Sequence, residues 1–316
     1  MNLSGHFWTI VPSLRDEWLP PRAPWTAQLR VAVHDDRFGP LELACPALLP
    51  HAARDLAVLV HGLGGSASSG YVVRLAAELG ARGIAAVALQ RRGADGSGAG
   101  LYHAAHTEDL DALLHHEAVQ PFERVHLVGF SLGGHLCLHA ARKPLPARVA
   151  SATALCAPLD IAAVQAHMDQ PAQWPYRRHV LRGMRAHHRA VVARHGLATD
   201  LRAIDACSSF REFDAMSVVP RFGFRDVAHY YETVCLDGRL HELTVPSLLV
   251  CALHDPMVRP AAGLPRSELP AGSKLRVVTT GQGGHLGFPS SLDLGLGAER
   301  GLAAQLAGWW RAVGNG

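Results

Sequence analysis

The feature that most constrains this chain is an alternation of short apolar runs with amphipathic stretches. Leu56–Val60, Ile84–Leu89, Arg124–Gly129 and Val149–Cys156 read as buried strands. Between them, Tyr71–Leu79, Thr107–Val119 and Leu132–Arg142 carry apolar residues at helical spacing. A strand–helix–strand rhythm of this kind predicts a mostly parallel sheet with helices on both faces. Residues 29–34 and 41–45 predict an opening pair of strands. The pattern breaks after Asp160, where residues 161–240 hold Arg- and His-rich helical stretches but no clear strand. It resumes with Ser247–Ala252 and Lys274–Thr279, and an amphipathic helix near 298–313 closes it. Both halves are needed to complete one sheet. The expectation is a single α/β domain over residues 1–316, with a helical lid inserted at about 161–240.

Composition narrows the class. A chain of 316 residues that is 48% hydrophobic, 18% charged and 6% aromatic can bury a large core, and is neither a disordered chain nor a coiled coil. Thirty Lys and Arg against 27 Asp and Glu give a net charge of +3, which offers no electrostatic case for a nucleic-acid partner. The cysteines at 45, 137, 156, 207, 235 and 251 are scattered without a CxxC pair, so they read as buried free thiols in a reducing compartment. Residues 1–24 carry no apolar core flanked by a cleavage site, and no apolar run approaches the roughly 20 residues that span a bilayer. These features predict a soluble cytoplasmic protein and leave its oligomeric state open.

The sharpest local signal is Gly129-Phe130-Ser131-Leu132-Gly133, set between a strand and a helix. A serine at such a turn takes strained dihedrals that lift its hydroxyl above the sheet edge, and flanking glycines relieve the clashes. A hydroxyl is a weak nucleophile and needs a base held by a third group. In this architecture the acid and then the histidine follow the serine, each on a loop after a strand. Asp255, in Leu253-His254-Asp255-Pro256, and His285, in Gly281-Gln282-Gly283-Gly284-His285, occupy such loops. Asp255 would orient the imidazole, and His285 would act as general base and then general acid. For the developing oxyanion, the backbone N–H groups of Leu132 and of Leu63, in His61-Gly62-Leu63-Gly64-Gly65-Ser66, are the candidates. That glycine-rich turn lacks both the Lys-Ser/Thr of a P-loop and the GxGxxG spacing, which argues against phosphate binding.

His115-His116, His187-His188 and the His135/His139 pair invite a metal reading. No HExxH occurs, and packed or solvated histidines explain them better, so no metal or cofactor is expected. Arg91-Arg92 and the stretch from Arg177 to Arg194 could meet an anionic head group, although a solvated face is the plainer reading. Gly93 to Gly100 reads as a flexible loop near the site mouth. Trp174, Phe210, Phe213, Phe222 and Tyr230 would form either an acyl pocket or the core of the lid.

Taken together, the motifs resemble the YheT-like branch of the α/β-hydrolases. The resemblance rests on Gly5-His6-Phe7-Trp8-Thr9-Ile10-Val11-Pro12, the turn at 61–66, the elbow at 129–134 and Gly283-Gly284-His285-Leu286-Gly287-Phe288. Its most specific part is Ser208-Ser209-Phe210-Arg211-Glu212-Phe213-Asp214, with Gly223-Phe224 and Tyr230-Tyr231 beyond. The resemblance implies a Ser131–Asp255–His285 triad acting on carboxylic esters, with lipid esters among the candidate substrates. His135 stands where that group commonly has Asn, and His254 where it commonly has Asp. The leading expectation is a serine ester hydrolase acting on small or acyl-chain esters through an acyl-enzyme. The alternatives are an acyltransferase using the same triad and a non-catalytic binding protein on the same fold.

Overall fold

In the computed structural model the described residues are 3–297 and 299–314. The chain opens with helix α1 (Leu3–Trp18) and the hairpin β1 (Ala27–Asp35) and β2 (Gly39–Leu48). Next come β3 (Asp55–Val60), α2 (Gly70–Gly80), β4 (Ala85–Leu89), α3 (Glu108–His115), β5 (Arg124–Phe130), α4 (Leu132–Ala141) and β6 (Val149–Leu155). Six helices then intervene: α5 (Ile161–Met168), α6 (Trp174–His195), α7 (Leu201–Ala206), α8 (Phe210–Met216), α9 (Val218–Phe222) and α10 (Val227–Val234). The chain finishes with β7 (Ser247–Ala252), α11 (Pro260–Gly263), β8 (Leu275–Thr280) and α12 (Leu302–Gly314). Residue 298, within the closing helix expected from sequence, lies outside the described residues.

The eight strands form one sheet in the order β1-β2-β4-β3-β5-β6-β7-β8. The β1–β2 and β2–β4 pairs are antiparallel, and every other pair is parallel. Helices cover both faces, which is why central strands such as β3 and β4 read as continuous apolar runs rather than alternating ones. Leu56, Val58 and Val60 of β3 enter one core layer with Leu110 of α3 and Leu136 of α4. Ala57 and Leu59 enter the other, with Leu75 of α2 and Leu306 and Trp310 of α12. The loops after β3, β5, β7 and β8 all leave the carboxyl ends of parallel strands, where open α/β sheets place their ligands.

Helix α8 opens with a capping box, in which the Ser209 side chain accepts the N–H of Glu212 and the Glu212 carboxylate returns the bond. Two small apolar clusters hold the helices between β6 and β7, one around Tyr230 and Tyr231 and one around Met184 and Phe213. The six cysteines are free, and all but the half-buried Cys235 are buried. Among the described residues no helix is long and apolar enough to cross a membrane.

Candidate active site

Ser131 follows β5 directly, with φ 52° and ψ −120°, and occupies the N-cap position of α4. Few non-glycine residues tolerate a positive φ, and the surroundings explain why this one is held there. A Cβ on Gly129 would lie 2.1 Å from the Gly133 carbonyl oxygen, and one on Gly133 would lie 2.2 Å from that of Val60. Only glycine at both positions lets helix, elbow and neighbouring strand close so tightly. Ser131 O accepts the N–H groups of Gly134 and His135, which starts the helix directly beneath the serine.

The acid and the imidazole form a built pair. Asp255 Oδ1 accepts the backbone N–H groups of Met257 and Val258 at 2.8 and 2.9 Å, which fixes the carboxylate. Its other oxygen, Oδ2, lies 2.8 Å from Nδ1 of His285. Both side chains are buried. An ionised carboxylate only accepts, so the proton sits on Nδ1 and Nε2 is left with its lone pair free to act as a base. The His285 loop is itself tightly shaped, with Gly283 at φ 92° and Leu286 at φ 67°. His285 donates its backbone N–H to Thr9 Oγ1 at 2.8 Å, so α1 holds the loop from outside the sheet.

Ser131 and His285 line one cavity of about 610 Å³, together with Leu63, Leu132 and residues of α1, α5, α6, α8 and α10. Ser131 Oγ and His285 are not hydrogen-bonded to each other; in unliganded sites such contacts are often long and tighten only around substrate. The turn after β3 stands against the serine. A Cβ on Gly62 would fall 3.3 Å from that of Ser131, and the Gly62 N–H donates to Tyr71 Oη at 2.9 Å. The N–H groups of Leu63 and Leu132 donate to no backbone acceptor among the described residues.

Residues 57–291 match the alpha/beta hydrolase fold family. The chain belongs to that family. It is 30% identical over 253 residues to the "Putative esterase YheT" of Escherichia coli (strain K12), covering 77% of this chain and 72% of that one. It is 27% identical to the phospholipase ABHD3 of Mus musculus over 254 residues, covering 75% of this chain but only 59% of that protein. The solved structure of Candida antarctica lipase A superposes with a TM-score of 0.53 at 12% identity, over 82% of this chain and 72% of that one, a likeness of fold alone.

Several features of this α/β-hydrolase were not as the sequence suggested. Arg91 and Arg92 do not face a ligand. Arg92 is buried in ion pairs with Asp35 at 3.0 Å and Asp109 at 2.7 Å, and Arg91 stacks on the Tyr102 ring while donating to the His103 carbonyl. The 93–100 segment is packed at both ends: a Cβ on Gly93 would lie 2.1 Å from Gly100 O, and one on Gly98 2.3 Å from Ala190 O of α6. The aromatic set divides, with Phe210, Phe213 and Tyr230 lining the cavity and Trp174 exposed. Phe222 instead meets the rings of His103 and His106 edge-on.

The histidine pair is a hydrogen-bond network. His135 Nδ1 lies 2.8 Å from the Pro158 carbonyl, and His139 Nε2 lies 3.1 Å from His135 Nε2 and 2.9 Å from the Val234 carbonyl. Arg142 donates to His139 Nδ1 at 3.2 Å. Burial holds both rings neutral, with His135 pushed down to about 4 and His139 to about 2. No group of three or more His, Cys, Asp or Glu among the described residues is placed to hold a metal ion. Sequence reasoning missed two site residues. Thr9 lay in a segment read for leader signals and for the family's opening motif but given no role at the site, although Leu3, Phe7, Ile10, Leu14 and Trp18 mark a helix there. Asp214 lines the cavity and accepts from Tyr231 Oη at 2.7 Å, and burial pushes its carboxyl up to about 7.

Proposed function

We propose that this α/β-hydrolase cleaves carboxylic esters through an acyl-enzyme on Ser131. The observation that carries the reading is the buried His285–Asp255 pair opening on the same cavity as a strained Ser131. His285 Nε2 takes the proton as Ser131 Oγ attacks the ester carbonyl, and Asp255 stabilises the imidazolium that forms. The N–H groups of Leu63 and Leu132 hold the oxyanion. When the tetrahedral adduct collapses, His285 returns the proton to the departing alcohol. Water then repeats the sequence, releasing the acid and restoring the serine. Losing one oxyanion donor typically costs about 3–4 kcal/mol of transition-state stabilisation.

The substrate is an ester with an apolar acyl chain. Phe210, Phe213, Met168 and Met184 give the cavity an apolar wall on the side of the helices between β6 and β7. On this reading those helices are a lid on a single α/β-hydrolase domain. Six unpaired cysteines fit a reducing compartment, so we place the protein in the cytoplasm. The test is labelling with a fluorophosphonate probe alongside turnover of short p-nitrophenyl esters. Both should occur in the native chain and vanish in Ser131→Ala. Labelling or turnover retained by the purified variant would remove Ser131 from the mechanism, and no labelling of the native chain would favour a binding protein.

A further inference from the structure

Helix α1 is built inside out for a water-facing helix. Its small and polar face is turned toward the protein. A Cβ on Gly5 would lie 1.7 Å from the His254 carbonyl oxygen, Thr9 bonds the His285 loop, and Asp16 pairs with Arg74. Its apolar face is turned outward: Leu3, Phe7, Ile10, Val11, Leu14 and Trp18 are exposed, Phe7 by 53% and Trp18 by 82%. The spacing of three and four residues puts them on one stripe. Among the described residues the only other exposed large apolar side chains are Leu19, Trp174 and Leu253. Leu19 follows α1 directly, and Leu253 precedes the His254 against which Gly5 packs. Trp174 starts α6, whose Tyr176 Oη is 2.6 Å from His6 Nδ1 of α1. A soluble surface rarely gathers its exposed apolar side chains into one region without a partner for them.

Two observations say what covers this face. First, it is continuous with the substrate cavity, since Ile10 and Leu14 are exposed on α1 and also line the cavity. Second, its flanks are cationic. Asp16 and Glu17 are engaged by Arg74 and Arg182. Arg15, Arg22 and Arg178 are exposed and make no ion pair among the described residues. Trp174, Arg178 and Arg182 recur every four residues and so share one face of α6, beside α1. An outward apolar stripe with an aromatic anchor and a cationic fringe is the chemistry of a helix lying in the plane of an anionic lipid surface.

We infer that α1, through Phe7, Trp18 and their apolar neighbours, docks the protein on an anionic lipid surface with the mouth of the Ser131 cavity against the lipid. The substrate is then an acyl ester drawn from that surface rather than from bulk water. This second statement rests on the ester-hydrolase reading, whereas the docking does not. Docking needs no movement of the triad, because the helix face that meets lipid is opposite the one that grips His254 and His285.

Co-sedimentation of the full chain with vesicles tests the proposal. Vesicles of phosphatidylcholine and phosphatidylglycerol in equal parts should bind the native chain, and vesicles of phosphatidylcholine alone should bind it more weakly. The double variant Phe7→Ser/Trp18→Ser should bind the mixed vesicles at least about tenfold less. It should hydrolyse p-nitrophenyl acetate at the native rate, because neither residue lines the cavity. Arg15→Glu/Arg178→Glu should lower binding to the mixed vesicles only. Native chain that stays in the supernatant, or a double variant that binds as well as native, overturns the proposal. A concentration-dependent dimer that the double variant loses, without vesicle binding, overturns it in favour of a second copy of this chain. Vesicle binding with no esterase activity would instead leave the docking standing and remove the ester reading.

Discussion

Thr9 Oγ1 accepts the backbone N–H of His285 at 2.8 Å, across 276 residues of sequence. The same hydroxyl donates to the Gly5 carbonyl at 2.7 Å, so one side chain ties the first helix to the imidazole loop. A buried N–H left unpaired costs about 1–3 kcal/mol, and a shift of about 1 Å in a catalytic group can cost a hundredfold in rate. Thr9→Val should therefore lower kcat on a short soluble ester by about 10- to 100-fold with KM little changed, and Thr9→Ser should restore most of it. Steady-state kinetics on the three proteins check this. A kcat for Thr9→Val within twofold of native would show that the loop keeps its place without α1.

Ser131 holds φ 52°, a conformation that a non-glycine residue adopts at a cost of order 1–3 kcal/mol. Glycine adopts it freely but has more unfolded-state entropy to lose, by about 0.5–1 kcal/mol. The difference predicts that Ser131→Gly is inactive yet more stable than Ser131→Ala by about 1 kcal/mol. Thermal unfolding of the two variants side by side reads it. A glycine variant that melts below the alanine variant would sink the strain argument.

The sheet was legible because each central strand is covered on both faces. Continuous apolar runs such as Leu56–Val60 and Ala85–Leu89 mark such strands directly, and observed boundaries fall within a few residues of those expected. The elbow was legible because close backbone approach demands glycine at 129 and 133. What stayed hidden depends on partners distant in sequence. Arg92 looked like a surface cation, but Asp109 and Asp35, 17 and 57 residues away, take it into the interior. Helix α1 escaped for the opposite reason. Its apolar stripe has ordinary helical spacing, yet a stripe is expected to face the core, and this one faces out.

Asp255 has two tasks that a carboxamide can only half perform. In Asp255→Asn the amide oxygen could still accept from Met257 and Val258, but the –NH₂ group would confront the Nδ1–H of His285. The ring would then favour the other tautomer and present a donor where the base is needed. The expected loss in kcat is about 10³- to 10⁴-fold with a nearly unchanged melting temperature. Rates within tenfold of native would mean that another group orients the imidazole.

Asp214 supplies a pH-dependent term in stability. Burial raises its carboxyl to about 7, although the hydrogen bond from Tyr231 pulls the other way, whereas an ordinary aspartate in the unfolded chain titrates near 3.8. Between those values the folded protein keeps a proton that the unfolded chain has released. Its contribution therefore favours folding fully below about pH 4 and is lost as pH rises through about 7. A carboxamide cannot ionise but can still accept from Tyr231, so Asp214→Asn should gain on the native chain as pH rises, with the advantage levelling off above pH 7. Melting temperatures of both proteins at half-unit steps from pH 5 to 8.5 measure the difference. If it stays constant across that range, Asp214 is already ionised in the folded protein, and the cavity carries a fixed negative charge beside Phe213.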